Sequence, residues 1–418
     1  MKLINILTLI FMLISLLTEF KKDRISSPLV VFCGIWSVVL FFYSLRLYGI
    51  YAIKEETAWL IFAALISFVF GYNLVKKIKI VDHYETIYTN WNMINLICVV
   101  IIVISFPYYL QSLLTMLRGG ISAAAYKLLL VSGEADSGNF IIQYIVRPFE
   151  FLIMGMSAYV FSKSIKNRLV FWAGIYICVV KFFTTGSKSA ILYYGLSLAL
   201  AMFNNSEIDN WIQVVAKLEL KQKITIFSAG IAFFASVVAS SGQFLKSIYL
   251  YLAGCLPMLD HVIHDPFYFS NENMHGWVSF NGIARFFINL LEIIGFTPNT
   301  VQFDKAANII TKFEYTILIS SDIKYNAFVT FISDFYIDFA SVGVVIGSMI
   351  FGGVVCFIYR RYQQDKSVAR YAQLSLLYYM VIFSIVRFQL SHTVIAMAFI
   401  YSILLIPMLN IRIILGRR

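Results

Sequence analysis

Apolar stretches close to the roughly 20 residues that a helix needs to cross a bilayer recur along this whole chain. They lie near 3–20, 28–50, 58–75, 94–113, 140–161, 169–184, 188–203, 224–242, 339–359, 371–390 and 393–412. A backbone inside lipid must satisfy its own hydrogen bonds, so each run is expected to be helical. Composition agrees: 60% of the 418 residues are hydrophobic and 13% charged, against roughly a quarter charged in soluble domains. The expected fold is an all-α polytopic membrane protein. It should hold about 11 transmembrane helices (10–12), with a long, partly helical outer loop before the last three spans. Three regions follow: an N-terminal bundle over 1–242, a large loop over 243–326 and a C-terminal bundle over 327–418.

The net charge of +11 would suggest nucleic acid in a soluble protein. Here it reads as basic residues gathered in cytoplasmic loops, so no nucleic-acid partner is expected. Lys21, Lys22 and Arg24 follow the first span; Lys76, Lys77 and Lys79 the third; Lys163, Lys166 and Arg168 the fifth. Lys217, Lys221 and Lys223 follow the seventh, Arg360, Arg361, Lys366 and Arg370 the ninth, and Arg412, Arg417 and Arg418 close the chain. All fall on one side of the same register. The N-terminus and the 243–326 loop are therefore expected outside and the C-terminus in the cytoplasm. The first run ends in Lys-Lys-Asp-Arg without a small-residue cleavage site and reads as a retained helix. Cys33, Cys98, Cys178, Cys255 and Cys356 show no Cys-x-x-Cys spacing. They read as small hydrophobes rather than a disulfide frame or zinc site.

The loop is not uniformly polar. Leu245–Ile263 is apolar enough to dip into the membrane. From Ile283 to Phe296, Arg285, Asn289 and Glu292 recur at i, i+4, i+7 among apolar residues, the pattern of a helix lying in the interface. The loop also carries Asp260, His261, His264, His275 and Asp304.

Ionisable groups inside spans are costly and so are candidates for function. In the fifth span Gln143, Arg147 and Glu150 form a polar stripe beside Pro148, with Arg147 roughly 10 Å below the outer surface at 1.5 Å per residue. Arg147 and Glu150 could instead neutralise each other. Near the outer end of the tenth span lie Arg387, Gln389 and His392, where Arg387 could also snorkel. Lys181 and Lys188 flank the outer turn holding Ser187; snorkelling is the plain reading of Lys181. Arg147, Lys188, Arg285 and Arg387 thus gather in the outer half of the bundle. Arginine's planar fork suits phosphate oxygens. On an outer leaflet the plausible anion is a pyrophosphate-linked lipid, and fixed cations can stabilise a departing pyrophosphate. Asp334, Asp338 or His392 could take a proton from an attacking hydroxyl, although Asp338 could simply cap the ninth span. His275 is a weaker binding candidate. The chain has no His-Glu-x-x-His, dense carboxylate cluster or Asp-x-Asp, so no metal and no cofactor are expected. Gly186-Ser187-Lys188-Ser189 lacks the upstream glycine of a phosphate-binding loop. Gly343 and Gly347 are spaced to admit another helix closely.

Two stretches resemble a known family. Thr185-Gly186-Ser187-Lys188-Ser189-Ala190-Ile191-Leu192 is similar to the Gly-Ser-Arg motif that opens a span in Wzy-type polymerases of O-antigen and capsule repeat units. Tyr325-Asn326-Ala327-Phe328, then Phe335 to Gly343 and a span ending in Tyr359-Arg360-Arg361, look like the segment after that family's outer loop. Lys188 stands where arginine is usual, and Ala340 where glycine is common after Asp-Phe. The resemblance implies a metal-independent membrane glycosyltransferase of polysaccharide biosynthesis (lipopolysaccharide or capsule) in the cell inner membrane. Its donor and acceptor are undecaprenyl-pyrophosphate-linked oligosaccharides. The growing chain passes to a new repeat and undecaprenyl pyrophosphate leaves. Membrane lipids, a chain-length regulator and a flippase of the same pathway are the implied partners. Arg147, Arg387, Arg285, Asp334 and His392 are the candidate catalytic residues, with Lys188, Glu150, Ser187 and His275 for substrate binding. An O-antigen ligase-type glycosyltransferase and a lipid-linked oligosaccharide flippase or transporter are the alternatives. A transporter should carry charges along a path reaching both faces.

Overall fold

The computed structural model describes residues 3–22, 27–79, 85–120, 140–185, 188–205, 244–268 and 272–414. The helices are α1 (Leu3–Lys22), α2 (Pro28–Leu45), α3 (Glu55–Lys77), α4 (Trp91–Gly119), α5 (Arg147–Ser162), α6 (Arg168–Thr185) and α7 (Lys188–Asn205). They continue as α8 (Phe244–Ala253), α9 (Cys255–His264), α10 (Asn281–Ile293), α11 (Val301–Lys312), α12 (Thr330–Gln364), α13 (Val368–Ile382) and α14 (Thr393–Leu409). A π-helical turn, Ile142–Val146, leads into α5. Strand pairing is confined, among the described residues, to β1 (Glu85–Thr89) with β4 (Asn410–Ile414) and to the short β2 (Ile317–Leu318) with β3 (Lys324–Tyr325). Seven of the described helices are long and apolar enough to cross a membrane. The protein is an all-α, multi-pass membrane protein. Ten of the eleven predicted runs coincide with a described helix, and the run at 224–242 lies outside the described residues. All five cysteines are buried and none forms a disulfide.

Helix ends follow local chemistry. Pro28 opens α2, where a missing N–H costs nothing. Glu55 and Glu56 begin α3 and Lys76 and Lys77 end it, matching the helix dipole. Asn90 caps α4 by accepting from Met93 N–H at 3.2 Å, and Gly120 closes it at φ 58°.

The chain divides into two compact units. The first comprises 1–80, 243–360 and 380–396, and the second 81–242, 361–379 and 397–418. The 243–326 stretch is therefore no separate layer, since it belongs with the first three helices. Within the first unit α8 packs on α2 and α9 on α3. The apolar stretch that could dip into the membrane is two helices broken at Gly254, where a Cβ would lie 2.7 Å from the Tyr325 ring. Cys255, Leu256, Met258, Leu259 and Val262 are wholly buried. Asp260 accepts from Lys54 N–H (2.8 Å) and Thr57 Oγ1 (2.5 Å), so it caps α3. The first unit holds an aromatic core of Phe32, Trp36, Phe68, Phe331, Phe351 and Phe388 in successive ring contact. Trp36 Nε1 donates to Ser384 Oγ at 3.0 Å.

α12 is not one straight rod. Phe339 (φ −146°, ψ 22°) and Ala340 (φ 53°, ψ −148°) leave the helical region. A Cβ added at Gly347 would sit 2.8 Å from the ring of Phe335. Twelve helical residues span about 18 Å at 1.5 Å each, so that contact requires the limb before 339 to fold back on the limb after 340. Gly343 and Gly347 thus receive their own chain rather than a second helix, correcting the expectation from their spacing. The close helix crossing lies elsewhere: a Cβ on Gly71 would overlap the Met349 carbonyl, and one on Gly352 the Phe68 carbonyl. Ala340 occupies backbone space that suits glycine, the physical reason for a glycine after Asp-Phe.

In the second unit, Pro148 cannot donate to the carbonyl of Tyr144 four residues earlier. The turn widens to π geometry, and Tyr401 Oη donates to Tyr144 O at 2.8 Å instead. A Cβ at Gly174 would overlap Ser157, whose Oγ donates to Phe171 O at 3.0 Å, so α5 and α6 meet closely.

Candidate functional site

In the first unit two interruptions of helix lie beside candidate residues: the break at 339–340 follows Asp334 and Asp338, and the non-helical 386–388 stretch between α13 and α14 holds Arg387. Irregular backbone in a membrane protein is tolerated where protein buries it or where it lines a cavity, so such places draw attention. Val329 and Thr330 both donate N–H to Val386 O, at 2.9 and 3.0 Å. Asp334 is wholly buried, and its Oδ2 accepts Phe388 N–H at 3.1 Å. That carboxylate therefore holds the segment bearing Arg387. Among the described residues its Oδ1 has no hydrogen-bond partner, and neither does Arg387 Nε.

Arg387 does not snorkel. Its side chain is 6% exposed and its Nη2 donates to Glu314 Oε1 at 2.6 Å. Ala327 O accepts more weakly from the same nitrogen at 3.5 Å. Asn326 and Ala327 build this approach. Asn326 Nδ2 donates to Glu314 O at 2.9 Å, Ala327 N–H donates to Phe313 O at 2.8 Å, and Ala327 takes φ 66°.

Asp338 acts as a cap, though on another segment than its own span. Its two oxygens accept Val278 N–H (3.0 Å) and Ser279 N–H (2.8 Å), while its carbonyl accepts His275 N–H (3.0 Å). The turn before α10 is so fixed, with His275 and Gly276 at φ 51° and 94°. His275 is exposed, its ring 6.0 Å from that of Phe339. From this anchor α10 closes onto the backbone at His392: a Cβ on Gly282 would lie 2.6 Å from the His392 carbonyl carbon. Arg285, one turn on, is exposed with its guanidinium 5.6 Å from the Phe303 ring centre. Phe280, Phe287, Leu291 and Ile294 are exposed too, as an interfacial helix requires.

His392 is exposed, yet protein atoms crowd it. That crowding, then the charges of Arg387 and Arg285, hold its pKa below the ordinary value. The imidazole is neutral at pH 7, with two guanidinium groups near enough to be felt.

The second unit holds the other candidates. Glu150 is wholly buried and binds Lys181 Nζ at 2.6 Å and Tyr109 Oη at 2.7 and 2.9 Å. The Arg147–Glu150 pairing that the sequence allowed does not form. Lys181 points inward, because a dry carboxylate outweighs the reach to water. Arg147 Nη2 donates to Tyr108 Oη at 3.0 Å, and its guanidinium lies 5.7 Å from that ring centre. Ser187 and the side chain of Lys188 lie outside the described residues. Two of the four cations therefore belong to each unit. Glu314 carries no sequence signal, being one acid in an exposed loop. Lys181 did carry one: a lysine inside a span next to a span bearing Glu150.

Comparison with protein-family models, curated proteins and solved structures finds no match. Among the described residues no group of three or more His, Cys, Asp and Glu side chains could hold a metal ion.

Proposed function

We propose that this protein is a metal-independent membrane glycosyltransferase that polymerises undecaprenyl-pyrophosphate-linked oligosaccharide repeat units. The observation that carries the reading is Arg387 and a neutral His392 on the interrupted backbone between α13 and α14, with Arg285 of α10 near enough for its charge to act on His392. In this reading an acceptor hydroxyl attacks the anomeric carbon of the donor chain. The bond from that carbon to the pyrophosphate oxygen breaks, the hydroxyl proton passes to His392, and the chain is now one repeat longer. A neutral imidazole is the form able to accept that proton. Arg387 and Arg285 hold the charge that develops on the departing pyrophosphate. Asp334, buried behind Arg387, positions the 386–388 segment rather than meeting the acceptor. Arg147, in its own unit, supplies a further cation without a carboxylate partner among the described residues. The charge register places the work on the outer face of the cytoplasmic membrane, with about 11 spans, the N-terminus outside and the C-terminus inside.

The test is reconstitution of the purified protein with a lipid-linked repeat unit and no nucleotide sugar. A ladder of longer products is expected, and Arg387→Ala should lower the rate by roughly 10²-fold, the usual cost of one charge-stabilising group. Flux of the repeat across the vesicle without bond formation would instead make the protein a transporter. Transfer only to a different acceptor would make it a ligase.

A further inference from the structure

Arg387 is buried and offers donors that the protein only partly uses. Nη2 is taken by Glu314 Oε1, whereas the buried Nε has no acceptor among the described residues. A resident structural ion pair tends to use the guanidinium fork on both prongs; this one uses a single prong. The two partners are also unequal. The Arg387 side chain is 6% exposed and the Glu314 side chain 48%. The cation is fixed from behind, by Asp334 holding Phe388 N–H and by Thr330 beside Val386. Apart from Arg387, the anion is held among the described residues through its backbone, by Asn326 and Thr311. One charge is built in and the other stands at a surface, free to turn away.

We propose that Glu314 is an electrostatic latch. Its carboxylate occupies the place on Arg387 that a phosphate-type oxyanion takes when ligand is bound, and it returns to that place as the ligand leaves. A phosphate oxygen pair takes Nη2 and the unused Nε together, with Arg285 adding a second cation and the neutral His392 beside them. Glu314 then swings to water, where half of its surface already lies. The latch keeps a buried guanidinium paired between turnovers and competes against retention of the released anion. This inference rests on the reading of Arg387 as an anion-binding residue and adds the group that regulates it.

The experiment is equilibrium binding of inorganic pyrophosphate to the full-length protein in detergent. Wild type is compared with Glu314→Gln, Arg387→Lys, Arg387→Ala, the double variant Glu314→Gln/Arg387→Ala and the control Glu272→Gln. Glu272 is equally exposed, at 48%, and pairs with Lys305 away from Arg387. With its anion half in water, the pair is taken as worth up to about 1 kcal/mol, so removing the competitor should tighten binding by roughly five-fold. Arg387→Lys keeps charge and loses the fork, and should weaken binding while still folding; the double variant should bind no better than Arg387→Ala. If Glu314→Gln binds no tighter while the Arg387 variants lose binding, the latch is refuted and the anion site stands. If Glu272→Gln tightens binding as much as Glu314→Gln, the effect is one of net charge and the latch is refuted. If Arg387→Lys and Arg387→Ala, both folded by thermal unfolding, bind as wild type does, the anion site itself is refuted. An arm with farnesyl pyrophosphate separates the sources of the anion. Tighter binding than inorganic pyrophosphate supports a lipid-borne group, and equal binding overturns it in favour of the free ion.

Discussion

Replacing Glu150 by glutamine and Lys181 by methionine, singly and together, tests whether one buried carboxylate ties three helices of the second unit. Glu150 of α5 is wholly buried and is reached by Lys181 of α6 at 2.6 Å and by Tyr109 of α4 at 2.7 Å. Breaking a buried pair from one side leaves a charge without a counterion, which costs about 3–5 kcal/mol. Glu150→Gln should fall near the lower figure, because Lys181 keeps the Phe151 ring 4.9 Å away. Lys181→Met should cost more, since Glu150 is the deeper partner. The double variant removes both charges and should lie within about 1 kcal/mol of wild type, as buried pairs replaced whole often do. The coupling is then about 5–7 kcal/mol, well above the roughly 0.6 kcal/mol average for hydrogen bonds between membrane helices. Reversible unfolding of the purified protein in mixed micelles, followed by tryptophan fluorescence, gives the cycle. Single-variant losses that simply add in the double variant, within about 0.5 kcal/mol, would refute the reasoning.

Ala340→Gly should stabilise the protein by about 1 kcal/mol or more, read as a higher midpoint of unfolding, because φ 53° with ψ −148° strains any side chain. Tyr401→Phe should cost about 1 kcal/mol by removing the hydroxyl that donates to the Tyr144 carbonyl, read as a lower midpoint of unfolding. His392 has a folded pKa below its ordinary 6.5. Above pH 6.5 both states hold it neutral and it contributes nothing; as pH falls through 6.5 only the unfolded chain takes up the proton, so stability falls. Unfolding midpoints across pH 5–8 should show this slope, and His392→Gln should flatten it.

The class of this protein is a local property, and the sequence alone determined it. Runs of apolar residues, helix caps at Asn90 and Gly120, and charges at the ends of α3 act within a few residues, where neighbours in sequence are neighbours in space. The candidate residues Arg387 and His392 were legible for the same reason: a costly group near the end of an apolar run stands out by itself. Partners were not legible. Glu314 meets Arg387 across 73 residues and Lys181 meets Glu150 across 31, so each pairing depends on the path of the chain. The same holds for Gly343 and Gly347. Their spacing announces a close approach, but what approaches is Phe335, brought back by a break at Ala340. Tertiary structure also turned Asp338 from a cap of its own span into the anchor of α10, and Asp334 from a candidate base into the support of Arg387. Hydropathy and period fix what each segment is. Which charge meets which is decided only when folded helices exclude water between them and leave each buried group one place to find a partner.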